Sequence, residues 1–388
     1  MKRVALVGLY KCDNLGDPIL AKCTEWLTKN SNDSLQIVKR LSLDTIRIQT
    51  KSNPTLISRI CLSILGRFGS PLFYEKYLYY FTYKYFLERI IDVDVIIIVG
   101  GGLIKYKAQY FWIFLPAVID AAKKRNKKVI LNAVGVEGYD EDDYRCQKLK
   151  KALHSSCVQY ISTRDDYKTL IESYFDGASG IVCENVADPA VWTSECYGIK
   201  KSFDNKSKVI GLGVARGDIF RDHGINVTPE EIINIYSSIA IRLVKEGYSV
   251  EIYTNGASCD SSMVDEVSKR VKNLGYQIQS KIPTNDIELI DMISKYNAII
   301  ATRLHSCIIA YSMDIPAIGL VWNDKLKLFG EKIGNSSYFI THENFNDAFI
   351  FDNFRKAIEQ GYDKSLRDNF RNTIKESIDS IVYNICQE

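Results

Sequence analysis

Short runs of hydrophobic residues recur along the chain and alternate with longer segments of helical periodicity. In the first half, such runs occupy residues 2–8, 93–99, 127–134, 158–162 and 181–184. In the second half, they occupy residues 208–214, 248–253, 276–280, 298–301 and 317–321. Continuous apolar runs of this length, separated by helical segments, predict buried parallel strands in α/β domains. Residues 165–175 are among the segments predicted to be helical.

A polar stretch at residues 194–208 separates the two series of strands. It contains Lys200, Lys201, Asn205 and Lys206, and this composition is typical of a linker. We therefore predict one α/β domain at residues 1–195 and a second at residues 196–349. Residues 350–388 are mostly helical in pattern, and we expect this segment to pack back across the linker.

Composition excludes several classes of protein. The 50 basic residues are balanced by 47 acidic ones, so the chain lacks the charge of an electrostatic nucleic-acid binder. The ten cysteines form no Cys-x-x-Cys pair and there are four histidines, so we expect neither a zinc site nor a disulfide framework. The first apolar run is too short for a signal peptide. These features predict a cytoplasmic protein without a metal.

Residues 56–91 are unusually rich in aromatic side chains, with Lys76 and Lys84 interspersed among them. The apolar run between Arg59 and Arg67 is much shorter than the roughly 20 residues of a transmembrane helix. One interpretation is a pair of core helices. The alternative is an amphipathic surface that rests peripherally on the inner face of the cytoplasmic membrane.

The loop after the first strand contains Asn14, Gly16 and Asp17 and leads into a helix. It lacks the Gly-x-x-x-x-Gly-Lys-Ser/Thr pattern of a phosphate-binding loop. In the structural interpretation, Asn14 supports the turn and Asp17 caps the helix. In the functional one, both contact a ligand, and Asp17 orients a hydroxyl group or accepts its proton as a general base.

A triple glycine at residues 100–102 ends another central strand. The backbone amides of Gly101 and Gly102 are candidates for lining a crevice at the strand ends, although a tight turn explains the glycines equally well. Tyr106 and Gln109 follow closely and are candidates for contacting the same ligand.

Arg303, Leu304 and His305 follow the strand at residues 298–301 and begin a helix. Thr302 is a natural N-cap, which would place Arg303 and His305 in the first helical turn. Free backbone amides and the helix dipole favour an anion there. Arginine adds a planar fork that is suited to carboxylate or phosphate.

Two further basic residues follow strands of the second half, Arg216 after residues 208–214 and Lys325 after residues 317–321. A residue that leaves a central parallel strand commonly faces the ligand. For Lys325 the alternative is a solvated helix face. The glycines near Arg216 lack dinucleotide spacing, so a nicotinamide cofactor is not expected.

Taken together, these motifs resemble the polysaccharide pyruvyl transferase family. The pattern spans about residues 4–335 and comprises, in order, Asn14-x-Gly16-Asp17, the triple glycine, Ser162-Thr-Arg164-Asp165, Arg303-Leu304-His305, Pro316 and Lys325. The resemblance implies an α/β fold similar to that of GT-B glycosyltransferases, with two Rossmann-like domains facing across a cleft.

The resemblance also implies an activity, which is the transfer of pyruvate from phosphoenolpyruvate to a sugar as a ketal. The expected acceptor is a saccharide, free or lipid-linked, of a bacterial capsular or exopolysaccharide precursor, with a 4,6-ketal on a hexose such as galactose. Phosphoenolpyruvate is then a donor substrate, and no cofactor is implied.

The expected roles divide between the two domains. The C-terminal domain would bind phosphoenolpyruvate through Arg303, Leu304, Arg216 and Lys325, with His305 as the catalytic acid. The N-terminal domain would bind the acceptor, through the set Asn14, Gly101, Gly102 and Tyr106, and would supply Asp17 as the base from the facing side of the cleft.

Two other functions are compatible with the sequence. A GT-B glycosyltransferase would use a nucleotide sugar, although the second half shows no clear acidic residue to bind a ribose. A non-catalytic carbohydrate-binding or scaffold protein of polysaccharide assembly would use residues 56–91 as a docking surface.

Overall fold

The computed structural model describes residues 1–31, 34–43, 71–107, 109–175, 181–202 and 208–387. These residues form two compact units. Unit 1 comprises Met1–Cys12, Leu20–Ala187 and Ile374–Glu388, and unit 2 comprises Asp13–Ile19 and Asp188–Thr373. Neither unit is therefore a single continuous stretch of chain.

Unit 1 is built on a parallel sheet of six described strands. The strands of unit 1 are β1 (Lys2–Gly8), β2 (Leu35–Ser42), β3 (Val95–Val99), β4 (Ile104–Lys105), β5 (Lys128–Val134), β6 (Val136–Glu137), β7 (Val158–Thr163) and β8 (Val182–Asn185). The main sheet has the order β2-β1-β3-β5-β7-β8, and β4 pairs separately with β6. Every residue of β3 is buried, as a continuous apolar run requires.

Helices connect these strands. They are α1 (Gly16–Ser31), whose first turn belongs to unit 2, α2 (Pro71–Arg89), α3 (Phe111–Lys124), α4 (Tyr144–Leu153) and the short α5 (Tyr167–Thr169). A π-helix at Leu170–Tyr174 continues α5. The helix predicted at residues 165–175 is therefore present over residues 167–174, and the Phe175 amide donates to the Leu170 carbonyl at 3.2 Å, which widens its last turn.

Unit 2 contains a second parallel sheet of six described strands, in the order β11-β10-β9-β12-β13-β14. The strands are β9 (Val209–Gly213), β10 (Ser249–Tyr253), β11 (Gln279–Lys281), β12 (Ala298–Ala301), β13 (Ala317–Leu320) and β14 (Phe339–Ile340). In chain order this arrangement is 3-2-1-4-5-6, which is the Rossmann order.

The helices of unit 2 cover both faces of its sheet. They are α6 (Thr193–Tyr197), α7 (Pro229–Lys245), α8 (Ser261–Asn273), α9 (Asp286–Ser294), α10 (Leu304–Ser312), α11 (Asp324–Lys332) and α12 (Asp347–Gln360). A final helix, α13 (Lys364–Gln387), begins in unit 2 and ends in unit 1. The predicted α/β fold with two Rossmann-like domains is confirmed.

The observed unit bounds differ from the predicted domain bounds. The chain passes into unit 2 at Asp188, ahead of the polar stretch at residues 194–208. Part of that stretch, residues 203–207, lies outside the described residues. Unit 2 extends to Thr373 and includes α12, while the last part of α13 belongs to unit 1.

The aromatic segment predicted at residues 56–91 contains α2, and residues 56–70 lie outside the described residues. One side of α2 is buried, with Leu78 and Phe86 in the core of unit 1. Phe73 and Tyr80 are more than half exposed. No helix among the described residues is both long and apolar enough to cross a bilayer. Peripheral membrane contact stays a prediction.

Arg371 fixes the first part of α13 within unit 2. Its side chain is buried, and its Nε donates to the Val191 carbonyl at 3.0 Å. The guanidinium forms an ion pair with Glu195 and lies 4.3 Å from the centre of the Trp192 ring. The Trp192 indole in turn donates to the Arg371 carbonyl at 3.0 Å.

We expect Arg371→Ala to lower the free energy of unfolding by about 2–3 kcal/mol, because buried hydrogen-bonding groups lose their partner. Urea denaturation followed by circular dichroism measures this change. The matched control is Arg355→Ala, since Arg355 pairs with Glu246 at the surface and should contribute less than about 1 kcal/mol. Equal effects of the two substitutions would contradict the assignment.

Candidate active site

The carboxyl ends of four neighbouring strands of unit 2 carry the polar residues of the candidate site. Arg216 follows β9, Asn255 follows β10, Arg303 follows β12 and Trp322 follows β13. The connections from β9 and β12 lead to opposite sides of the sheet. Ligands of Rossmann-type sheets bind at this switch point.

Asp260 joins two of these strand ends. Its carboxylate is fully buried and accepts from Nε and Nη2 of Arg303 at 2.8 and 2.6 Å. It also accepts from the backbone amide of Arg216 at 2.9 Å. Asp260 therefore fixes the guanidinium plane and balances its charge, while a guanidinium retains further N–H donors for a ligand.

The side chain of Arg216 lies nearer the surface. It forms an ion pair with Asp222, and the two side chains are 37% and 49% exposed. An ion pair in this setting contributes little to stability, so an incoming anion can replace the carboxylate at small cost.

Thr302 is not the N-cap of α10, contrary to the prediction. The helix begins at Leu304 with Arg303 as its N-cap, and the Arg303 side chain makes no capping hydrogen bond. Thr302 instead contacts the Tyr236 hydroxyl through Oγ1, and its carbonyl accepts from the Trp322 indole at 2.7 Å. Thr302 therefore links the end of β12 to α7 and to the residue that follows β13.

His305 is buried in the first turn of α10 and packs directly on Gly16. A Cβ added at Gly16 would lie 2.1 Å from Nδ1 of His305, so only glycine fits there. On the other side of the ring, Nε2 lies 3.8 Å from a carboxylate oxygen of buried Asp188. This carboxylate can stabilise a protonated imidazole.

The loop that carries Gly16 packs against the end of β10. The Leu15 amide donates to the Asn255 carbonyl at 2.9 Å. Asp13 accepts from the backbone amide and the hydroxyl of Ser258 at 3.0 and 2.6 Å. Burial alone would raise the pKa of Asp13, but these hydrogen bonds outweigh it and lower the pKa. The contact between this loop and Ser258 is therefore most stable when Asp13 is ionised.

Gly256 permits the close approach of this loop. Its φ of +86° is in the left-handed region, and a Cβ there would lie 2.7 Å from the Leu15 side chain. The neighbouring side chain of Asn255 is buried and accepts from the Ser306 hydroxyl at 2.5 Å. The loop, β10 and α10 are thus joined within one unit.

Asn14 and Asp17 contact each other in the same loop. Nδ2 of Asn14 donates to Oδ2 of Asp17 at 3.1 Å, and the Asp17 amide lies 3.3 Å from the Asn14 carbonyl. Asp17 occupies the first turn of α1, where the helix dipole favours a carboxylate. Both residues belong to unit 2, whereas the sequence suggested the domain facing it.

The other predicted donor-site residues also lie at this end of the sheet. Leu304 is the half-buried first residue of α10. Lys325 is a half-buried residue in the first turn of α11, which follows β13.

Three predicted acceptor-site residues lie in unit 1. The Gly101 carbonyl accepts from Nη2 of Arg164 at 3.0 Å, and Gly102 adjoins it. Tyr106 is buried in the core of unit 1. These residues lie beyond the carboxyl end of β3, but burial of the Tyr106 ring leaves little of it for a ligand.

Sequence reasoning missed Asp188, Asp260 and Asn255. The Asp188-Pro189 dipeptide carried a usable signal, because an acidic residue before proline is typical of a helix start. Asp188 does accept from the Ala190 amide at 2.8 Å as an N-cap. No local pattern indicates that Asp260 and Asn255 contact residues far away in the sequence.

Solved structures with the same fold include enzymes of nucleotide-sugar chemistry. The UDP-GlcNAc 2-epimerase from Methanocaldococcus jannaschii has a TM-score of 0.62 at 11% identity, covering 99% of this chain and all of that one. The S. aureus MnaA–UDP co-structure has a TM-score of 0.57 at 12% identity, covering 100% and 98%. A glycosyltransferase from Rickettsia africae ESF-5 has a TM-score of 0.51 at 14% identity, covering 99% and 93%. These similarities show a GT-B-like fold.

No curated protein matches the chain. The family model described as polysaccharide pyruvyl transferase matches residues 21–324. The match includes Arg216 and the Arg303-Leu304-His305 motif, whereas Asn14, Asp17 and Lys325 lie just outside it. Since the match covers most of the sequence, the chain belongs to the polysaccharide pyruvyl transferase family.

Proposed function

We propose that the protein transfers pyruvate from phosphoenolpyruvate to two hydroxyl groups of a saccharide, forming a ketal and releasing phosphate. The acceptor would be a hexose of a bacterial capsular or exopolysaccharide precursor, with the ketal across its 4 and 6 positions. The observation that carries the proposal is the combination of Arg303, held by Asp260, and buried His305 at the start of α10, at one switch point.

The donor would bind through charge at this sheet edge. Phosphoenolpyruvate carries about three negative charges, which suit an arginine fork, a lysine and the positive end of a helix dipole. Asp260 holds Arg303 in one orientation before the donor arrives. Arg216 and Lys325 would supply the remaining charge, with the donor displacing Asp222 from Arg216.

The chemistry starts with a proton added to the methylene carbon of phosphoenolpyruvate, which leaves a cationic centre at the neighbouring carbon. One sugar hydroxyl attacks that carbon and loses its proton. The bond to the phosphate oxygen then breaks, and the second hydroxyl closes the ring and loses its own proton. One of the released protons replaces the proton consumed, and the other leaves with phosphate.

We assign the proton donor to His305 and the hydroxyl base to Asp17. The Asp188 carboxylate near Nε2 would stabilise His305 in the charged form that an acid needs. Asp17 lies one residue from Gly16, on which the His305 ring packs. The two groups thus belong to one unit and to adjoining elements. These steps call for no cofactor, and they suit a cytoplasmic enzyme whose acceptor is free or lipid-linked.

Phosphoenolpyruvate should raise the melting temperature by roughly 5–10 °C when its concentration is about 100 times Kd, because it binds the native state selectively. Arg216→Ala should remove most of that shift. Arg270→Ala is the matched control, since Arg270 is similarly exposed and also paired with a carboxylate. Differential scanning fluorimetry measures both variants. A shift with UDP-GlcNAc instead of phosphoenolpyruvate would contradict the donor assignment and favour a nucleotide-sugar enzyme.

His305→Gln should lower turnover at least about 100-fold while phosphoenolpyruvate still binds, because the acid is lost and the neighbouring donors stay in place. Phosphate release gives turnover, and calorimetric titration gives binding. His342→Gln, at an exposed histidine of unit 2, is the control and should retain activity. Equal loss of binding and turnover would reduce His305 to a binding residue.

Asp17→Asn should leave donor binding unchanged and lower transfer to a saccharide about 100-fold, because the amide cannot accept the hydroxyl proton. The control is Asp324→Asn, since Asp324 likewise occupies the first turn of a helix. The measurement is pyruvylated product quantified by mass spectrometry. Transfer at the wild-type rate in Asp17→Asn would show that the base is another group.

A further inference from the structure

A cavity of about 370 Å³ lies in unit 1, and of its lining residues only Gln109 has been discussed so far. It is lined by Glu75, Gln109, Tyr110, Trp112, Tyr144 and Arg145. These residues come from α2, the segment before α3, α3 itself and α4. The volume falls in the range of roughly 300–1,000 Å³ that is typical of small-molecule sites.

Aromatic rings form much of the wall and are held in place by one another. Trp112 and Tyr144 meet edge to face at 5.6 Å, and Tyr110 meets Tyr74 in the same way at 5.7 Å. Tyr110 and Tyr144 remain 38% and 50% exposed. Such rings offer flat, electron-rich faces to the C–H groups of a ligand.

The backbone of this wall is strained. Gln109 and Tyr110 have φ values of 55° and 60°, so two consecutive residues other than glycine adopt the left-handed conformation. Each such residue costs of order 1–3 kcal/mol, and they concentrate at ligand-binding sites. Tyr110 is also the N-cap of α3 and makes no side-chain bond to its first amides. This backbone conformation places Gln109 and Tyr110 in the wall of the cavity.

Glu75 provides a hydrogen-bond acceptor in the same wall. Its Oε1 accepts from the Tyr144 hydroxyl at 2.7 Å. Burial, together with this carboxylate, raises the pKa of Tyr144 to about 12, so its hydroxyl stays protonated. Within the described parts of the chain, Glu75 Oε2 is buried without a hydrogen-bond partner. A buried carboxylate oxygen in this state favours a ligand that donates a hydrogen bond.

We propose that this cavity binds a sugar ring of a neutral saccharide, with a ring face on Tyr110 or Tyr144 and a hydroxyl donating to Glu75. The Gln109 side-chain amide and the Arg145 guanidinium would bind further hydroxyls. Nε of Arg145 donates to Oδ1 of Asp143 at 2.9 Å, and this hydrogen bond orients the guanidinium. The Glu75 carboxylate repels an anion placed beside it, and the Arg145 guanidinium is already paired with Asp143, so the wall favours a neutral ligand over a nucleotide phosphate. That this saccharide is the acceptor rests on the proposed function, whereas the existence of the site does not.

The test is saturation-transfer NMR without phosphoenolpyruvate, using three probes: methyl β-galactopyranoside, methyl α-mannopyranoside and maltotriose. Wild-type protein should bind at least one probe. Tyr144→Ala and Glu75→Gln should each weaken that binding about tenfold, since they remove a stacking face and a charged acceptor. Tyr80→Ala is the matched control, because Tyr80 is a similarly exposed tyrosine of unit 1 outside the cavity.

Two results would overturn the proposal. One is the absence of saturation transfer to all three probes in the wild-type protein. The other is binding that Tyr144→Ala and Tyr80→Ala leave equally strong. Because the donor is omitted, saccharide binding with the expected variant pattern supports the cavity even when phosphoenolpyruvate fails to bind unit 2. Failure of the proposed function would therefore be distinguishable from failure of the proposed saccharide site.

Discussion

A carboxylate that is fully withdrawn from water must be paired, because burial of an isolated charge costs far more than one hydrogen bond returns. In unit 2 this carboxylate is Asp260, and its partners are the Arg303 guanidinium and the Arg216 amide. Because Asp260 must be paired, it fixes the positions of Arg216, which follows β9, and Arg303, which follows β12. The candidate site is therefore preorganised by a buried charge, because Asp260 holds the arginine fork in one orientation.

The central strands were predictable because they are buried on both faces and consist of continuous apolar runs. The observed bounds of β1 and β12 agree with the predicted runs to the residue. The edge strand β2 was missed and β11 was displaced, because their exposed positions are polar. β2 contains Lys39 and Arg40, and all three residues of β11 are exposed. The pattern of hydrophobic residues reports burial, and edge strands are only partly buried.

The sequence predicted only those residues of the candidate site that directly follow a central strand. Arg216 and Arg303 were found because they follow central strands, where parallel sheets bind ligands. Their partners were not found, since contacts such as that of Arg303 with Asp260 join residues far apart in the sequence. Gly16 was recognised from the sequence only as part of the loop after the first strand, while its actual constraint is the imidazole packed against it. The fold is shared with UDP-GlcNAc 2-epimerases, and a shared fold does not by itself determine function.

The division of the chain has a consequence for its synthesis. The loop at Asp13–Ile19 is synthesised before its partners Asn255, Ser258 and His305, which follow more than two hundred residues later. Unit 1 likewise receives Ile374–Glu388 only after all of unit 2 has been synthesised. Each unit therefore lacks native contacts until distant parts of the chain have been made, and the nascent protein must stay soluble with both units unfinished during that time.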